Sequence, residues 1–319
     1  MYRIMERRGL YFLISVVLML PGIIYMVWSL ATKGSLLPLS IDYTGGTLWE
    51  MRFSKPVEPS DVLKIFTDAG FADTKATTVQ DNQTIQVKFK NINADEKNSL
   101  KTKLTQKFGN FDERSYQSVG PAIGNEISEA AILAVGLASV LILLYIAMAF
   151  RQVSHPFRFG TCAVIALVHD TLVVISFACL MDWLVGWEID ALFLTATLTV
   201  IGYSVSDTIV VFDRVRENFR RHRGESLSMV ANRSIIETAH RSLATHVTTL
   251  LTLTAILVLG GPTLHQFIST LLVGIASGTY SSIFNASALL VAWDERSWLH
   301  RDEPAAPGAD LRGTGRHRP

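Results

Sequence analysis

Residues 189–212 read IDALFLTATLTVIGYSVSDTIVVF, and this stretch decides the fold class. As a helix it would be about 36 Å long at about 1.5 Å per residue, whereas the hydrocarbon core of a membrane is about 30 Å thick. Five more apolar segments of sufficient length lie at residues 10–30, 127–150, 159–181, 242–259 and 264–293. The sequence therefore predicts a polytopic α-helical membrane protein with six transmembrane helices.

The composition supports a membrane protein, because 49% of the 319 residues are hydrophobic and only 18% are charged. Soluble domains usually contain roughly one quarter charged residues. The formal net charge of +1 argues against a nucleic-acid partner. The two cysteines, Cys162 and Cys179, lie in one apolar run, which excludes a disulfide-stapled domain and a cysteine-rich metal site. We expect neither a metal ion nor an organic cofactor.

The arginines predict the orientation in the membrane. They cluster at residues 3–8, 151–158, 214–241 and 296–318, whereas the connections 182–188 and 260–263 contain neither Arg nor Lys. The positive-inside rule then places both termini in the cytoplasm and residues 31–126 outside. The first apolar segment is longer than the core of a usual signal sequence, so we expect it to remain as an uncleaved anchor.

The chain divides into four predicted parts. These are the N-terminus with the first transmembrane helix at residues 1–30, an extracytoplasmic domain at 31–126, a five-helix transmembrane bundle at 127–295 with a cytoplasmic loop at 213–241, and a disordered cytoplasmic tail at 296–319. The extracytoplasmic domain is long enough to have its own core. The tail is rich in Pro, Gly and Arg, a composition that does not favour a packed structure.

The extracytoplasmic domain alternates between strand and helix patterns. The predicted elements are a strand over 39–53, a helix from residue 58 to Gly70, a strand over 72–79, a turn at Asn82, a strand over 84–90, a helix that ends at Gly109 and a strand over 111–118. This β-α-β-β-α-β order is that of an α+β ferredoxin-like fold. Gly45 and Gly46 are interpreted as a turn or bulge, since a strand follows them and not the helix of a phosphate loop.

A carboxylate and a guanidinium lie where lipid is expected. Asp207 ends a polar stripe of residues spaced by four, after Thr195, Thr199 and Tyr203, and Arg241 precedes the fifth helix. A buried carboxylate whose cation approaches and retreats can gain and lose a proton, because burial and a nearby cation act on it in opposite directions. Asp207 and Arg241 are the candidates for such a proton relay. The alternative is a static ion pair that fixes helix packing.

A second carboxylate lies deeper along the third helix. Asp170, preceded by His169, is about 18 Å from the predicted start of that helix and therefore close to the membrane midplane. A charge at that depth costs several kcal/mol and suggests a function. Two interpretations remain open for Asp170 and His169, namely a hydrogen bond between helices and a further step of a proton relay.

Five stretches of the sequence resemble a known family. They are DYTGGT at residues 42–47, VGP at 119–121, HD at 169–170, GYSVSD at 202–207 leading into DRVREN at 213–218, and HR at 240–241. Together with the six-helix layout, they resemble the SecF family, the smaller integral subunits of the bacterial SecDF accessory complex of protein export, and through it the resistance-nodulation-division superfamily. Asp42, Gly45 and Gly46 are read as a structural motif. Ser206 stands where the family usually has Asn, and Tyr43 where it usually has Phe.

The resemblance implies a function in protein export. It implies a protein of the bacterial cytoplasmic (inner) membrane that uses the proton-motive force to pull polypeptide outward through the translocation channel, with Asp207 and Arg241 serving proton passage. The implied partners are SecD, the SecYEG channel, translocating unfolded polypeptide and membrane lipid, with YidC and YajC as further candidates.

Two alternatives remain beside a proton-coupled export subunit. The first is a small-molecule or lipid exporter of the same superfamily, although such exporters usually carry two six-helix halves in one chain. The second is a scaffold of the Sec machinery that conducts no protons. We do not expect an enzyme, because the sequence has no Ser/His/Asp pattern and no His-Glu-x-x-His motif. The pattern does not distinguish protons from sodium ions, since a carboxylate serves either.

Overall fold

The computed structural model describes residues 4–79, 83–151, 156–222 and 224–295. Within these ranges six helices are long and apolar enough to cross a membrane, as the sequence predicts. The turn predicted at Asn82 and the tail predicted at 296–319 lie outside the described residues.

Helices and strands alternate near the N-terminus, and helices alone follow. In chain order the elements are a 3-10 turn (Met5–Arg7), α1 (Arg8–Lys33), α2 (Ile41–Thr44), β1 (Gly46–Phe53), α3 (Pro59–Asp68), β2 (Lys75–Val79), β3 (Thr84–Phe89), α4 (Ala94–Phe108), β4 (Phe111–Val119), α5 (Pro121–Ala149), α6 (Pro156–Val185), α7 (Ala191–Arg221), α8 (Leu227–Leu259), α9 (Pro262–Tyr280), a π-helical turn (Ser281–Ala286) and α10 (Ser287–Asp294). The last three elements together form the sixth span, Thr263–Asp294.

The four strands form one antiparallel sheet in the order β2-β3-β1-β4. Alternate residues of β1 and β3 face a core that α3 and α4 cover, with Trp49, Phe66, Val87 and Leu100 fully buried. The connections and the strand order are those of the predicted ferredoxin-like fold.

The first strand is shorter than the predicted 39–53. Residues 41–44 form a helical turn that begins after Ser40, whose Oγ accepts a hydrogen bond from the Asp42 N–H at 3.2 Å. Gly45 has a φ of 69° and Gly46 a φ of 127°, conformations that glycine adopts without the steric cost of a Cβ. The glycine pair therefore turns the chain from α2 into β1, as the turn interpretation requires.

The centre of the membrane bundle is built from α6, α7 and the sixth span. Of their most apolar stretches, 50%, 50% and 56% are buried inside the protein, compared with 6% for α5 and 11% for α8. At one end of the bundle Phe150, Phe159 and Phe212 pack with ring centroids 5.3 to 6.3 Å apart. Most of α5 and α8 therefore offers apolar side chains to lipid or to other membrane helices.

Most of the predicted cytoplasmic loop over 213–241 is helical in the structure. α7 continues to Arg221 and α8 begins at Leu227. Asp213 and Arg216 form an ion pair of 2.6 Å along α7, and side chains at this spacing share a helix face. Apolarity marks the part of a helix that needs lipid, but such charged pairs allow the helix to extend beyond it.

A side chain of α6 binds backbone groups of α1 next to a proline inside that helix. Pro21 lies inside α1, and proline disturbs the hydrogen-bond ladder of a helix. The Gly22 N–H donates instead to the Ser176 Oγ at 2.7 Å, and that hydroxyl lies 3.3 Å from the Leu18 carbonyl oxygen. Glycine is needed for this approach, because a Cβ on Gly22 would lie 2.2 Å from the Ser176 Cα.

The sixth span is interrupted by the π-helical turn Ser281–Ala286. A π-helical turn contains one more residue per hydrogen-bonded ring than an α-helical turn and is often found at functional sites. The side chains of Ser281 and Ser282 are fully buried. They face polar groups of α6 and α7.

Candidate functional site

Asp207 lies on the face of α7 that packs against α8, and 7% of the residue is exposed. Its Oδ1 accepts a hydrogen bond of 2.5 Å from the Ser242 hydroxyl of α8. Its Oδ2 is buried and has no hydrogen-bond partner within the described residues. Because an unpaired charge is costly inside a membrane, this oxygen is a natural place for a proton or a cation.

A cavity of about 460 Å³ opens beside Asp207 between α7 and α8. Its lining consists of Thr199, Gly202, Tyr203, Ser206, Asp207, Val210, Arg241, Ser242, Thr245 and His246. Three of the four residues of the predicted polar stripe, all except Thr195, line this space. The stripe on α7 therefore faces a cavity whose lining residues are mostly polar, and not lipid alone.

Arg241 lines the same cavity, and its side chain is exposed. Across the described parts of the chain no ion pair or hydrogen bond joins Arg241 to Asp207. The alternative of a static Asp207–Arg241 ion pair is therefore not seen in this conformation. The role of these two residues in a proton relay remains a prediction.

A search for charged residues in apolar segments does not identify Ser242 and His246, two neighbours of Asp207. His246 is 3% exposed, and its Nδ1 lies 2.6 Å from the Ser242 carbonyl oxygen. Its ring packs edge-on against Tyr203, with centroids 5.6 Å apart, and the Tyr203 hydroxyl is 2.7 Å from the Thr249 Oγ1. Their spacing in the sequence does indicate that they belong together, since residues four apart share a helix face.

Asp170 is fully buried on α6 and is surrounded by hydroxyl donors from other helices. Its Oδ2 accepts from Ser204 at 2.5 Å and from Ser281 at 2.6 Å, and its Oδ1 accepts from Ser277 at 3.2 Å. The Nδ1 of His169 lies 3.0 Å from the same Oδ1. These contacts give Asp170 the hydrogen bonds between helices that one of its two interpretations requires, while the relay role of Asp170 and His169 remains a prediction.

A row of hydroxyls extends from Asp170 along the buried face of α7. The Thr208 hydroxyl donates to the Ser282 Oγ at 2.9 Å, and the Ser282 hydroxyl donates to the Ser204 carbonyl oxygen at 2.9 Å. Thr208 follows Asp207 directly in the chain. The π-helical turn therefore contacts α7 on the side opposite the Asp207 cavity.

The predicted motif of Asp42, Gly45 and Gly46 lies where residues 31–126, which we call the outer domain after its predicted location, meet α7. Asp42 Oδ2 accepts a hydrogen bond of 2.9 Å from the Ala191 N–H, in the first turn of α7. A carboxylate is favourable there, because the first N–H groups of a helix have no partner inside it. A Cβ on Gly45 would lie 2.9 Å from the Pro121 Cα, and one on Gly46 would lie 2.9 Å from the Phe89 carbonyl oxygen.

Tyr43 adds a second contact to the same helix end. Its hydroxyl donates to the Asp190 carbonyl oxygen at 3.0 Å. Burial raises the pKa of Tyr43 to about 12, and the neighbouring Asp190 and Asp42 carboxylates add to the rise. Burial likewise raises the pKa of Asp190, against a hydrogen bond from the Phe193 N–H that lowers it. Tyr43 therefore stays a neutral hydrogen-bond donor at any physiological pH.

The outer sheet also contacts the connection between α6 and α7. Lys88 on β3 forms an ion pair of 2.9 Å with Glu188, and its ammonium group donates to the Leu39 carbonyl oxygen at 3.1 Å. Leu39 and Ile189 form an isolated parallel β-bridge. The outer domain is therefore attached to the start of the helix that carries Asp207.

Comparison with known proteins gives the family. The model of the family described as protein export membrane protein SecD/SecF, C-terminal, matches residues 99–296. The chain belongs to the SecD/SecF family. The match includes Asp170, Asp207, Arg241 and His246. The protein translocase subunit SecF of Thermobaculum terrenum is 45% identical over 96% of this chain and 99% of its own length.

Two solved structures of SecDF resemble the fold. SecDF of Thermus thermophilus, described as a translocon-associated membrane protein, has a TM-score of 0.75 and 34% identity, over 91% of this chain and 38% of the SecDF chain. SecDF in a super-membrane-facing form has a TM-score of 0.62 and 32% identity, over 92% of this chain and 39% of the SecDF chain. The chain thus spans well under half of the SecDF polypeptides that it matches.

Proposed function

We propose that this chain is a SecF-like subunit of a SecDF accessory complex that uses the proton-motive force to promote late steps of protein translocation through the Sec channel. The support is a curated protein translocase subunit SecF that matches nearly the whole chain at 45% identity, and a SecDF structure that the fold resembles with a TM-score of 0.75. The chain corresponds to a part of SecDF, so the proposed partner is SecD.

The proposed coupling between proton movement and protein export rests on one observation. Only one oxygen of the Asp207 carboxylate has a hydrogen-bond partner within the described residues, and the carboxylate lies beside a cavity. Within the described residues Oδ2 is buried without a partner, while Oδ1 is held by Ser242. A protonated Asp207 is neutral and needs no cation, whereas the charged form favours an approach of Arg241, which lines the same space. Each protonation state thus favours a different arrangement of α7 and α8, which is what coupling requires.

The contacts between the outer domain and the start of α7 connect the protonation of Asp207 with the part of the chain that we propose acts on the polypeptide. Asp42 binds the first turn of α7 and Tyr43 binds Asp190 just before it, while Lys88 binds the connection between α6 and α7. A shift of α7 driven by Asp207 would therefore weaken these contacts and release the outer domain from the α6–α7 connection. We propose that this domain, residues 31–126, lies outside the cytoplasmic (inner) membrane with both termini in the cytoplasm, because the arginines cluster on the other side.

The proposed assembly includes SecD and the SecYEG channel, with translocating polypeptide as the load and lipid around α5 and α8. YidC and YajC are proposed as further members. The chain acts in this proposal without enzymatic catalysis and without a cofactor, and the proton gradient supplies the energy. Sodium in place of the proton is a variant of the same proposal.

The test is the rescue of preprotein export in cells that lack their own SecF. We compare the wild-type chain, Asp207→Asn and the control Asp213→Asn at equal membrane abundance. Asn keeps the size and polarity of Asp but cannot ionise. Asp213 lies on the same helix, but its carboxylate is exposed and paired with Arg216.

The expected result is rescue by the wild type and by Asp213→Asn, and failure of Asp207→Asn. Equal rescue by all three would reject proton coupling at Asp207 and favour a non-conducting Sec scaffold. Failure of the wild type together with the variants, although SecD is bound, would contradict a role in export and favour another substrate, as in the superfamily exporters.

A further inference from the structure

His246 is a buried titratable side chain that shares the cavity with Asp207 and has no assigned role. The residue is 3% exposed and lies one helical turn after Ser242, which binds Asp207. It is close enough to Asp207 for an electrostatic interaction. Histidine changes its charge between about pH 5 and pH 8, which no other side chain does at its ordinary pKa.

The hydrogen bond of the His246 ring determines which ring nitrogen can accept a proton. Nδ1 lies 2.6 Å from the Ser242 carbonyl oxygen, and a carbonyl oxygen can only accept, so Nδ1 carries the hydrogen. The lone pair of the neutral ring is then on Nε2. Tyr203 packs against the ring edge-on and restricts its rotation.

Ser242 connects the two titratable groups. Its hydroxyl donates to Asp207 Oδ1 at 2.5 Å, and its carbonyl oxygen accepts from His246 at 2.6 Å. The other titratable or charged residues of the cavity are Tyr203 from α7 and Arg241 from α8, and α9 contributes nothing to the described lining. The carboxylate and the imidazole therefore face one cavity from two neighbouring helices.

We propose that His246 is the second proton-exchanging group of the Asp207 cavity. The proton leaves the Asp207 carboxyl group, crosses the cavity and binds to Nε2 of His246. Asp207 changes from neutral to negative and His246 from neutral to positive, so the step creates no net charge in the membrane. This matters because the energetic cost of a single uncompensated charge there is several kcal/mol. The inference rests on the proposed function of Asp207.

The test replaces His246 by Asn, whose amide N–H can still donate to the Ser242 carbonyl oxygen but which does not titrate near neutrality. The control is His222→Asn, because His222 also places Nδ1 against the carbonyl oxygen four residues earlier, at 3.1 Å from Asn218, but lies outside the cavity. Export is measured in cells lacking their own SecF, at equal membrane abundance, while the external pH is varied between about 5 and 8.

We expect His246→Asn to export at least about tenfold more slowly, since a positioned proton-transfer group contributes about 10²–10⁴-fold in catalysis, and to lose the pH dependence that we expect of the wild type. His222→Asn should match the wild type. A wild-type rate with a wild-type pH profile in His246→Asn would overturn the proposal and leave His246 a packing residue. Rescue by Asp207→Asn would instead contradict the proposed function itself.

A second measurement on the intact protein covers the case in which His246→Asn does not accumulate. Nitrogen-15 NMR of histidine-labelled wild-type chain, in complex with SecD in lipid vesicles, reports the charge of each ring. We expect one imidazole with a constantly protonated Nδ1, whose Nε2 titrates with a midpoint that Asp207→Asn displaces. If Asp207→Asn displaces no histidine titration, the proposal is wrong.

Discussion

Gly45 shows how a single residue limits the distance between the outer domain and the membrane bundle. Its φ of 69° is combined with a ψ of 169°, a conformation that is essentially restricted to glycine. A Cβ there would also lie 2.9 Å from the Pro121 Cα, at the start of α5. Backbone strain and a clash with backbone therefore coincide at this position.

We predict that Gly45→Ala lowers the free energy of unfolding by at least about 1–3 kcal/mol, the usual cost of such a conformation in a residue other than glycine. The measurement is the apparent melting temperature of the purified chain in detergent. Gly136→Ala is the control, since a Cβ on this α5 residue meets nothing within 4 Å. An unchanged melting temperature in Gly45→Ala would show that the turn relaxes freely.

The candidate site divides into residues that the sequence identifies and residues that it does not. Asp207, Arg241, Asp170 and His169 are found because charged and titratable residues are rare in apolar segments. Ser242 is not found, because serine and threonine are frequent along these helices and most bind their own backbone. Only the packing of α7 on α8 shows which hydroxyl within the described residues reaches the Asp207 carboxylate.

At the scale of the element, α1 is a helix whose continuity depends on its neighbour. Pro21 interrupts it, and Ser176 from α6 supplies a hydroxyl to the Gly22 N–H and lies near the Leu18 carbonyl oxygen. In lipid every backbone polar group needs such a partner, since no water replaces it. The pairing of α1 with α6 is therefore specified by this break.

We predict that Ser176→Ala lowers the stability of the chain in detergent by about 1–3 kcal/mol, because a buried N–H loses its acceptor. The control is Ser139→Ala on α5, where the hydroxyl only donates to the Val135 carbonyl oxygen of its own helix at 2.8 Å. Thermal unfolding of the two variants side by side is the measurement. Equal losses would mean that the break in α1 needs no partner from α6.

Element boundaries are where the sequence was least informative. The strand predicted from residue 39 begins at Gly46, because Ser40 starts a helical turn that apolar alternation does not reveal. α7 and α8 extend through most of the predicted loop over 213–241, because a long apolar run marks only the part of a helix that lies in lipid. The six spans and the strand order were predictable, since both follow from long apolar runs and from regular periodicity.

At the scale of the whole molecule, the outer domain is joined to the α6–α7 connection by several independent contacts. Leu39 and Ile189 form a parallel β-bridge, and Lys88 pairs with Glu188. Gln266 from α9 donates to the Glu188 carbonyl oxygen. These contacts hold the outer domain against the bundle in the conformation described. If the outer domain moves away from the bundle, these contacts have to break.

We predict that a disulfide between Leu39→Cys and Ile189→Cys stops export under oxidising conditions and that a reductant restores it. Neighbouring strands lie about 4.8 Å apart, a distance that suits a disulfide, and both native cysteines are buried. Preprotein export in cells is the measurement. The control is the pair Thr77→Cys and Gln86→Cys, which are partners between β2 and β3 within the outer sheet.

Export should continue in the oxidised control, because the bond lies inside one rigid sheet. Continued export with the 39–189 bond fully formed would mean that the outer domain works without leaving the α6–α7 connection. The motion would then have to arise elsewhere in the complex.

The π-helical turn Ser281–Ala286 has a consequence for how the chain tolerates insertions and deletions. One extra residue in a helix rotates everything after it by about 100°, since a turn contains 3.6 residues. The pattern of inward-facing positions in α10 is therefore shifted by one residue relative to that in α9. Removing one residue from the turn would rotate the buried Leu290 and Val291 about the helix axis and away from the core. The two halves of the sixth span are thus in different helical phases, and the serines that contact Asp170 and α7 lie at the point where the phase changes.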